Sequence, residues 1–348
     1  MARRPDLGYF DDGVDLADTG TYATAAQQFG EATVLPAVAH RSIAFDYLED
    51  EALWSRAWVA VGTIRDIPNP NDILPYTLGY HGIHVQRMPD GNLQGRFNMA
   101  QHGGCRLVPD QCQNGTKTNC SFTSCGYSRD RGPIDAEVER AAPRLSHQYL
   151  GLRPERLLPV QVTERGGLIL VSLDRSAPPP DIGTLALQHR SHRVGKWTEV
   201  PANWKLVAES LSRCDKVTAR STNRLDGTRD NGGVQVTWLY PNAIILMAQQ
   251  NKCLIIVQPT ATCKTLMRIS FFGQGAGLAG FWNFQIDQAT DLAKERQSTQ
   301  GGSIVPQLAR QADAVAHWGQ NALINRIATM PHTTIDIPMM QPTRSYMR

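Results

Sequence analysis

The chain has 348 residues, 41% of them hydrophobic and 19% charged, with a formal net charge of +3. That length and balance suit a globular protein with a substantial core, in one large or two moderate domains. A charge so near zero excludes a broad electrostatic footprint for nucleic acid or an anionic membrane surface. The longest apolar runs, such as "GLILVSL" and "NAIILMA", are far short of the roughly 20 residues that span a bilayer. The basic start "MARRP" is followed by "DLGYFDDGVDLADTG", which lacks the apolar stretch of an export signal. The expected location is the cytoplasm. Thiols stay reduced there, so clustered cysteines suggest metal more than disulfides.

Residues 1–42 read as loosely structured, with one short helix around Thr21–Phe29. "IAFDYLEDEALWSRAW", from Ile43, places apolar groups at helical spacing behind an acidic first half, and a helix is expected over 43–58. Then the pattern shortens. "WVAVGTI", "LPYTLGY", "HGIHVQRM" and "LQGRFNM" read as strands separated by turn sequences such as "PNPND" and "PDGN". "PVQVTERGGLILVSLD" adds a hairpin turning at Gly166–Gly167, and "APPPD", Ala177 to Asp181, reads as a linker or surface turn. These short strands imply a compact β domain.

Beyond the prolines, "PANWKLVAESLSRCDKVTA" reads as one helix, with Trp204, Leu206, Val207 and Leu211 partly on one face. "GGVQVTWLYPNAIILMAQQNKCLIIVQPTATCKTLMRISFFG" gives about four long antiparallel strands rich in β-branched and aromatic residues. The remainder reads as helical on either side of a Gly-Gly break. The fold class is α+β: a small antiparallel β domain, and a larger helix-grip domain in which an antiparallel sheet wraps a long C-terminal helix. The expected divisions are 1–43, an N-terminal segment packing on the larger domain; 44–160, the small domain; and 161–348, the larger domain.

Residues 97–132, "FNMAQHGGCRLVPDQCQNGTKTNCSFTSCGYSRDRG", hold four of the seven cysteines and one histidine. The segment and its surroundings carry a resemblance. "DEALWSRAWVAVG", "DGNLQGRFNMAQHGG", "GLILVSLD", "ANWKLVAES" and "WLYPNAIIL" resemble the α subunits of Rieske non-heme iron oxygenases from about Ala44 to near the C-terminus. The resemblance implies a small domain holding a [2Fe–2S] cluster and a larger one holding a mononuclear iron that activates oxygen.

The cluster of that family is bound by C-x-H and, after a spacer, C-x-x-H, two thiolates on one iron and two imidazoles on the other. The 17 residues between His102 and Cys120 match the spacer, but Ala100 stands at the first cysteine position and Thr123 at the second histidine position. One histidine and one cysteine cannot hold a Rieske cluster. The iron site of the family resembles N-W-K-x-x-x-E-N followed by two histidines and a late carboxylate, a facial triad. Asn203, Trp204, Lys205 and Glu209 match; the histidine positions fall on Lys216 and Ser221, and Asp291 is the counterpart of the carboxylate. The carboxylate that bridges electrons to the iron falls at Arg213. No mononuclear iron and no catalytic residue are expected.

The thiols Cys105, Cys112, Cys120 and Cys125 have six, seven and four residues between them, with His102 as an alternative ligand. Such donors suit a tetrahedral structural Zn²⁺. The alternatives are small buried thiols beside an empty cavity and a re-ligated iron–sulfur cluster. Lys216 is expected to pair with Asp291 or another acid, its ammonium replacing the charge of a missing metal, the alternative being a lysine that reaches solvent. Cys214, Cys253 and Cys263 read as core thiols. The remaining histidines form no metal-binding pair on one helix.

These readings point to a non-catalytic, stabilising α-like subunit of a hetero-oligomeric Rieske-type oxygenase. Its implied partner is a catalytically competent α subunit, in a three-plus-three hexamer with a reductase acting on the partner. The alternative is an active oxygenase, hydroxylating or demethylating a small organic substrate with non-standard ligands.

Overall fold

The computed structural model describes residues 8–97, 158–183, 187, 192–230, 233–273, 278–301 and 311–330. The chain divides into two compact units, with boundaries after Trp54 and after Pro179.

The N-terminal part of the larger unit opens with a two-residue pairing of β1 (Phe10–Asp11) and β2 (Val14–Asp15). In place of a helix over Thr21–Phe29 there is a 3₁₀ turn at Thr19–Tyr22, capped by the Asp18 carboxylate. Two short helices follow, α1 (Val38–Arg41) and α2 (Ile43–Glu49). Ser42 caps α2 by accepting from the Phe45 N–H at 3.3 Å. A π-helical turn, Asp50–Trp54, ends this helical stretch four residues short of the expected 58.

The smaller unit is a six-stranded antiparallel sheet: β3 (Val59–Thr63), β4 (Ile73–Leu78), β5 (His81–Arg87), β6 (Leu93–Phe97), β7 (Pro159–Arg165) and β8 (Leu168–Ser172). The spatial order is β3-β8-β7-β6-β5-β4. Every residue of β3 and β8 is buried, as their continuous apolar sequences require. The β7–β8 hairpin turns at Gly166–Gly167, both with positive φ. The Trp58 indole donates to the Ala177 carbonyl at 3.3 Å, tying the two ends of this unit together.

These pairings move the expected domain boundaries. β7 and β8 complete the small sheet, so the unit runs on past residue 160 to the proline run. At the other end, α2 belongs with the larger unit because Glu49 bonds to Trp204 and Lys205 there.

The larger unit continues with β9 (His192–Val200), α3 (Trp204–Ser212), β10 (Lys216–Arg220), β11 (Arg224–Arg229), β12 (Val234–Leu239), β13 (Ala243–Ala248), β14 (Asn251–Ala261) and β15 (Lys264–Phe272). The long helix α4 (Leu278–Arg296) and α5 (Ala314–Ala328) close it. Its seven strands are antiparallel in the order β10-β11-β12-β13-β14-β15-β9. The four strands expected from sequence are β12 to β15. The helix expected through Ala219 stops at Ser212, and its second half is the edge strand β10.

Helix α5 lies against the sheet at Gly319, where an added Cβ would sit 2.7 Å from the Trp238 ring. Trp318 stacks edge-on with Trp238 and Tyr240, at 5.2 and 5.8 Å between ring centroids. The N-terminal segment crosses the other side of α5. Gln320 donates to the Ala25 and Thr33 carbonyls, and Ala312 N–H to the Ala32 carbonyl.

Candidate functional site

The residues that carry the resemblance in the larger unit sit on α3. Asn203 has extended backbone and caps the helix, its side chain accepting from Lys205 N–H at 3.1 Å and donating to the Thr262 carbonyl at 2.7 Å. Trp204, Lys205 and Glu209 all point inward. Trp204 Nε1 donates to one oxygen of Glu49 at 3.0 Å, and Lys205 Nζ donates to the other at 2.6 Å. The Lys205 ammonium also lies 5.0 Å from the centre of the Phe45 ring and 5.4 Å from that of Trp204. One turn on, Glu209 accepts from Arg296 of α4 at 2.5 Å. All four charged groups are at most 7% exposed.

Burial dominates the electrostatics of this layer. It pushes the carboxyls of Glu49 and Glu209 above their ordinary range, an effect opposed by Lys205 and Arg296 respectively. His40, on α1, is held well below the usual imidazole range by burial first and then by Lys205 and Arg296. It enters this layer although nothing in its local sequence singles it out. Asp46 accepts from the Thr262 hydroxyl, and burial raises its carboxyl too. The layer joins α1, α2, α3 and α4; its carboxylates, ammonium and guanidinium are partnered, while the buried His40 Nδ1 has no hydrogen-bond partner among the described residues. It presents no exposed nucleophile or base.

The other end of α3 is where the resemblance expects iron. The first histidine position, Lys216, is exposed at the start of β10, and the second, Ser221, is exposed just past its end. At about 3.3 Å per residue the two lie on the order of 15 Å apart. Asp291 is 75% exposed on α4 and pairs with Lys294 at 2.9 Å. The expected Lys216–Asp291 pair is therefore corrected: no ion pair joins them, and each side chain reaches solvent. Arg213, the bridge position, is exposed, and its carbonyl accepts from Arg229 Nε at 2.8 Å. An ammonium, a hydroxyl and a dispersed carboxylate do not fit a mononuclear iron. Among the described residues no group of three or more His, Cys, Asp or Glu could hold a metal ion.

Of the three core-type thiols, Cys253 is buried and its thiol is pushed up by burial, while Cys214 is half-buried. Cys263 corrects the expectation. It is exposed at the β14–β15 turn, where its Sγ accepts from Gln297 and donates to the His40 carbonyl. Ala100, His102, Cys105, Cys112, Cys120, Thr123 and Cys125 lie outside the described residues.

No protein-family model matches the chain. Curated relatives do. The α subunit of biphenyl 2,3-dioxygenase from Rhodococcus jostii is 26% identical over 194 residues, 51% of this chain and 41% of that protein. The oxygenase subunit of glycine betaine monooxygenase from Pseudomonas aeruginosa is 26% identical over 176 residues, 48% of this chain and 40% of that protein. The matched stretch thus spans about two fifths of these relatives.

Solved structures share the fold over most of the chain. A quaternary ammonium Rieske monooxygenase, CntA, superposes with a TM-score of 0.59 at 14% identity, covering 89% of this chain and 98% of that one. Naphthalene 1,2-dioxygenase from Rhodococcus sp. gives 0.57 at 13% identity, covering 90% and 99%. The N-W-K-x-x-x-E motif at the head of α3 and these likenesses agree: the chain is a homologue of the α subunits of Rieske non-heme iron oxygenases.

Proposed function

We propose that this chain is a non-catalytic, α-like subunit that stabilises a hetero-oligomeric Rieske-type oxygenase. One observation carries the reading. The positions matching the two iron-binding histidines hold Lys216 and Ser221, at opposite ends of a strand, while Asp291 is tied to Lys294 at the surface. Iron has no ligand set there, so oxygen activation belongs to the partner. The retained half of the motif, Asn203, Trp204, Lys205 and Glu209, has a structural use that explains its presence without iron. Ala100 and Thr123 remove two of the four cluster ligands, so electrons from a reductase enter through the partner as well.

In the small unit, Cys105, Cys112, Cys120 and Cys125, with His102 as alternative, supply soft donors for a structural Zn²⁺ that pins the loops. The partner is a competent α subunit, and a three-plus-three hexamer keeps the competent chains in contact with one another. The proposed location of the complex is the cytoplasm. Among the described residues no helix is long and apolar enough to cross a membrane.

Co-expression with a competent α subunit, followed by native mass and metal analysis, tests this. The expected result is one hetero-oligomer with iron confined to the partner and about one zinc on this chain. Separate species would refute the partnership. Iron-dependent turnover by the isolated chain with a reductase would establish the active-oxygenase alternative. A charge-transfer spectrum from the isolated chain would replace zinc with a re-ligated iron–sulfur cluster.

A further inference from the structure

Arg229, the last residue of β11, is mostly buried, yet none of its hydrogen bonds goes to a carboxylate. Its Nη2 donates to the Leu211 carbonyl at 2.5 Å, its Nε to the Arg213 carbonyl at 2.8 Å, and its Nη1 to Gln285 Oε1 of α4 at 2.9 Å. The two carbonyls belong to the open C-terminal end of α3, whose last turn has no intrahelical donors. A cation there also faces the negative end of the helix dipole. One side chain therefore caps α3 and ties it to α4.

The chain on either side is clamped to the same strand. Asp215 N–H donates to the Thr228 carbonyl, and the Asp215 carboxylate accepts from Asp230 N–H at 2.7 Å. Cys214 is pressed against Gly227 so closely that a Cβ at Gly227 would lie 2.4 Å from its sulfur. These contacts end the helix at Ser212 and start β10 four residues later, in register with β11.

We infer that Arg229 is a metal-independent staple: its guanidinium joins the end of α3 to α4 and holds residues 213–221 in the strand course that keeps Lys216 and Ser221 apart. It is a positioning residue and takes no part in chemistry. The inference rests on the reading that no iron is bound there, and goes further by naming the group that holds these elements together. A lysine could not replace it, because a single ammonium lacks the planar fork that reaches two carbonyls and an amide at once.

Hydrogen exchange and thermal unfolding of the full chain test it. In Arg229→Ala, amides of 213–221 should exchange about tenfold faster than in wild type, with β13 and β14 unchanged. The unfolding midpoint should fall by ~3 °C or more. Arg229→Lys should lie between. Should Arg229→Ala fail to fold, Gln285→Ala cuts only the arm to α4 and should loosen 213–221 less. EDTA or cobalt(II) should leave wild-type exchange at 213–221 unaltered. Exchange within about twofold of wild type in both Arg229→Lys and whichever of the other variants folds would overturn the staple. Iron-dependent turnover by the isolated wild-type chain would defeat the non-catalytic reading and the metal independence resting on it, whereas exchange in the Arg229 variants decides whether the guanidinium holds 213–221, so the two failures are distinguishable.

Discussion

His84 sits in the middle of β5, fully buried, and among the described residues neither ring nitrogen has a hydrogen-bond partner. Burial, reinforced by the Arg96 guanidinium across the strand pair, lowers its pKa to about 3. A desolvated, unpaired imidazole costs about 1–3 kcal/mol. His84→Leu should therefore be as stable as wild type at pH 7, or more so. The pH dependence has a definite sign. The folded pKa lies below the unfolded value of 6.5, so the unfolded chain binds the proton first on acidification. Stability associated with His84 is complete above pH 6.5 and is lost as pH falls towards about 3. Between those limits wild type should lose about 1.4 kcal/mol per pH unit relative to His84→Leu. Urea unfolding of both proteins at several pH values checks this, and parallel profiles would sink it.

Gly319 offers a second test at the same scale. Helix propensity alone favours alanine by ~1 kcal/mol, but the added methyl meets the rigid, buried Trp238 ring. Gly319→Ala should lose about 1–2 kcal/mol in denaturant unfolding, against the propensity trend. The sequence makes neither residue legible. In "HGIHVQR" the alternation puts Ile83 and Val85 inward and His84 on the opposite face; that this second face is also buried is a tertiary fact. Gly319 reads as a helix weakener until its neighbour in the sheet is known.

At the scale of elements, the β strands with turn residues between them were readable because period and punctuation agreed. Helix α3 was readable at its start, where Asn203 precedes an apolar helical face, and misleading at its end. "SRCDKVTA" contains neither glycine nor proline to stop a helix. What stops it is Arg229, a partner 17 residues beyond Ser212, invisible to a local pattern. The charged layer shows the same limit. Lys205 and Glu209 are four residues apart on one helix, but their partners, Glu49 and Arg296, come from α2 and α4. Lys205→Met should cost about 3–5 kcal/mol, because it strands a buried carboxylate. Adding Glu49→Gln removes that charge while leaving an oxygen for the Trp204 indole. The double variant should recover a large part of the loss, measured as a coupling energy in a double-mutant cycle. Simple additivity would mean that Glu49 has enough other support without Lys205.

For the whole molecule, the two units divide the proposed roles. On the proposed reading the larger unit is held by apolar burial, the α3 charge layer and Arg229, without a metal. The smaller unit carries the segment with four cysteines between β6 and β7, so a proposed structural zinc would be bound by the segment that joins adjacent strands of one sheet. Metal removal should therefore act on one unit. A metal bound to the native state stabilises it according to its affinity and concentration, and that contribution belongs to the elements the loop joins. Treatment with a strong zinc chelator should speed amide exchange in β5, β6 and β7 and leave β12 to β15 as protected as before. Restoring zinc should restore the small sheet. Equal loss of protection in both units would show that zinc supports the whole chain. No change in either would remove zinc from the account and leave the cysteines as buried thiols, with the sheet held by its β3 and β8 core alone.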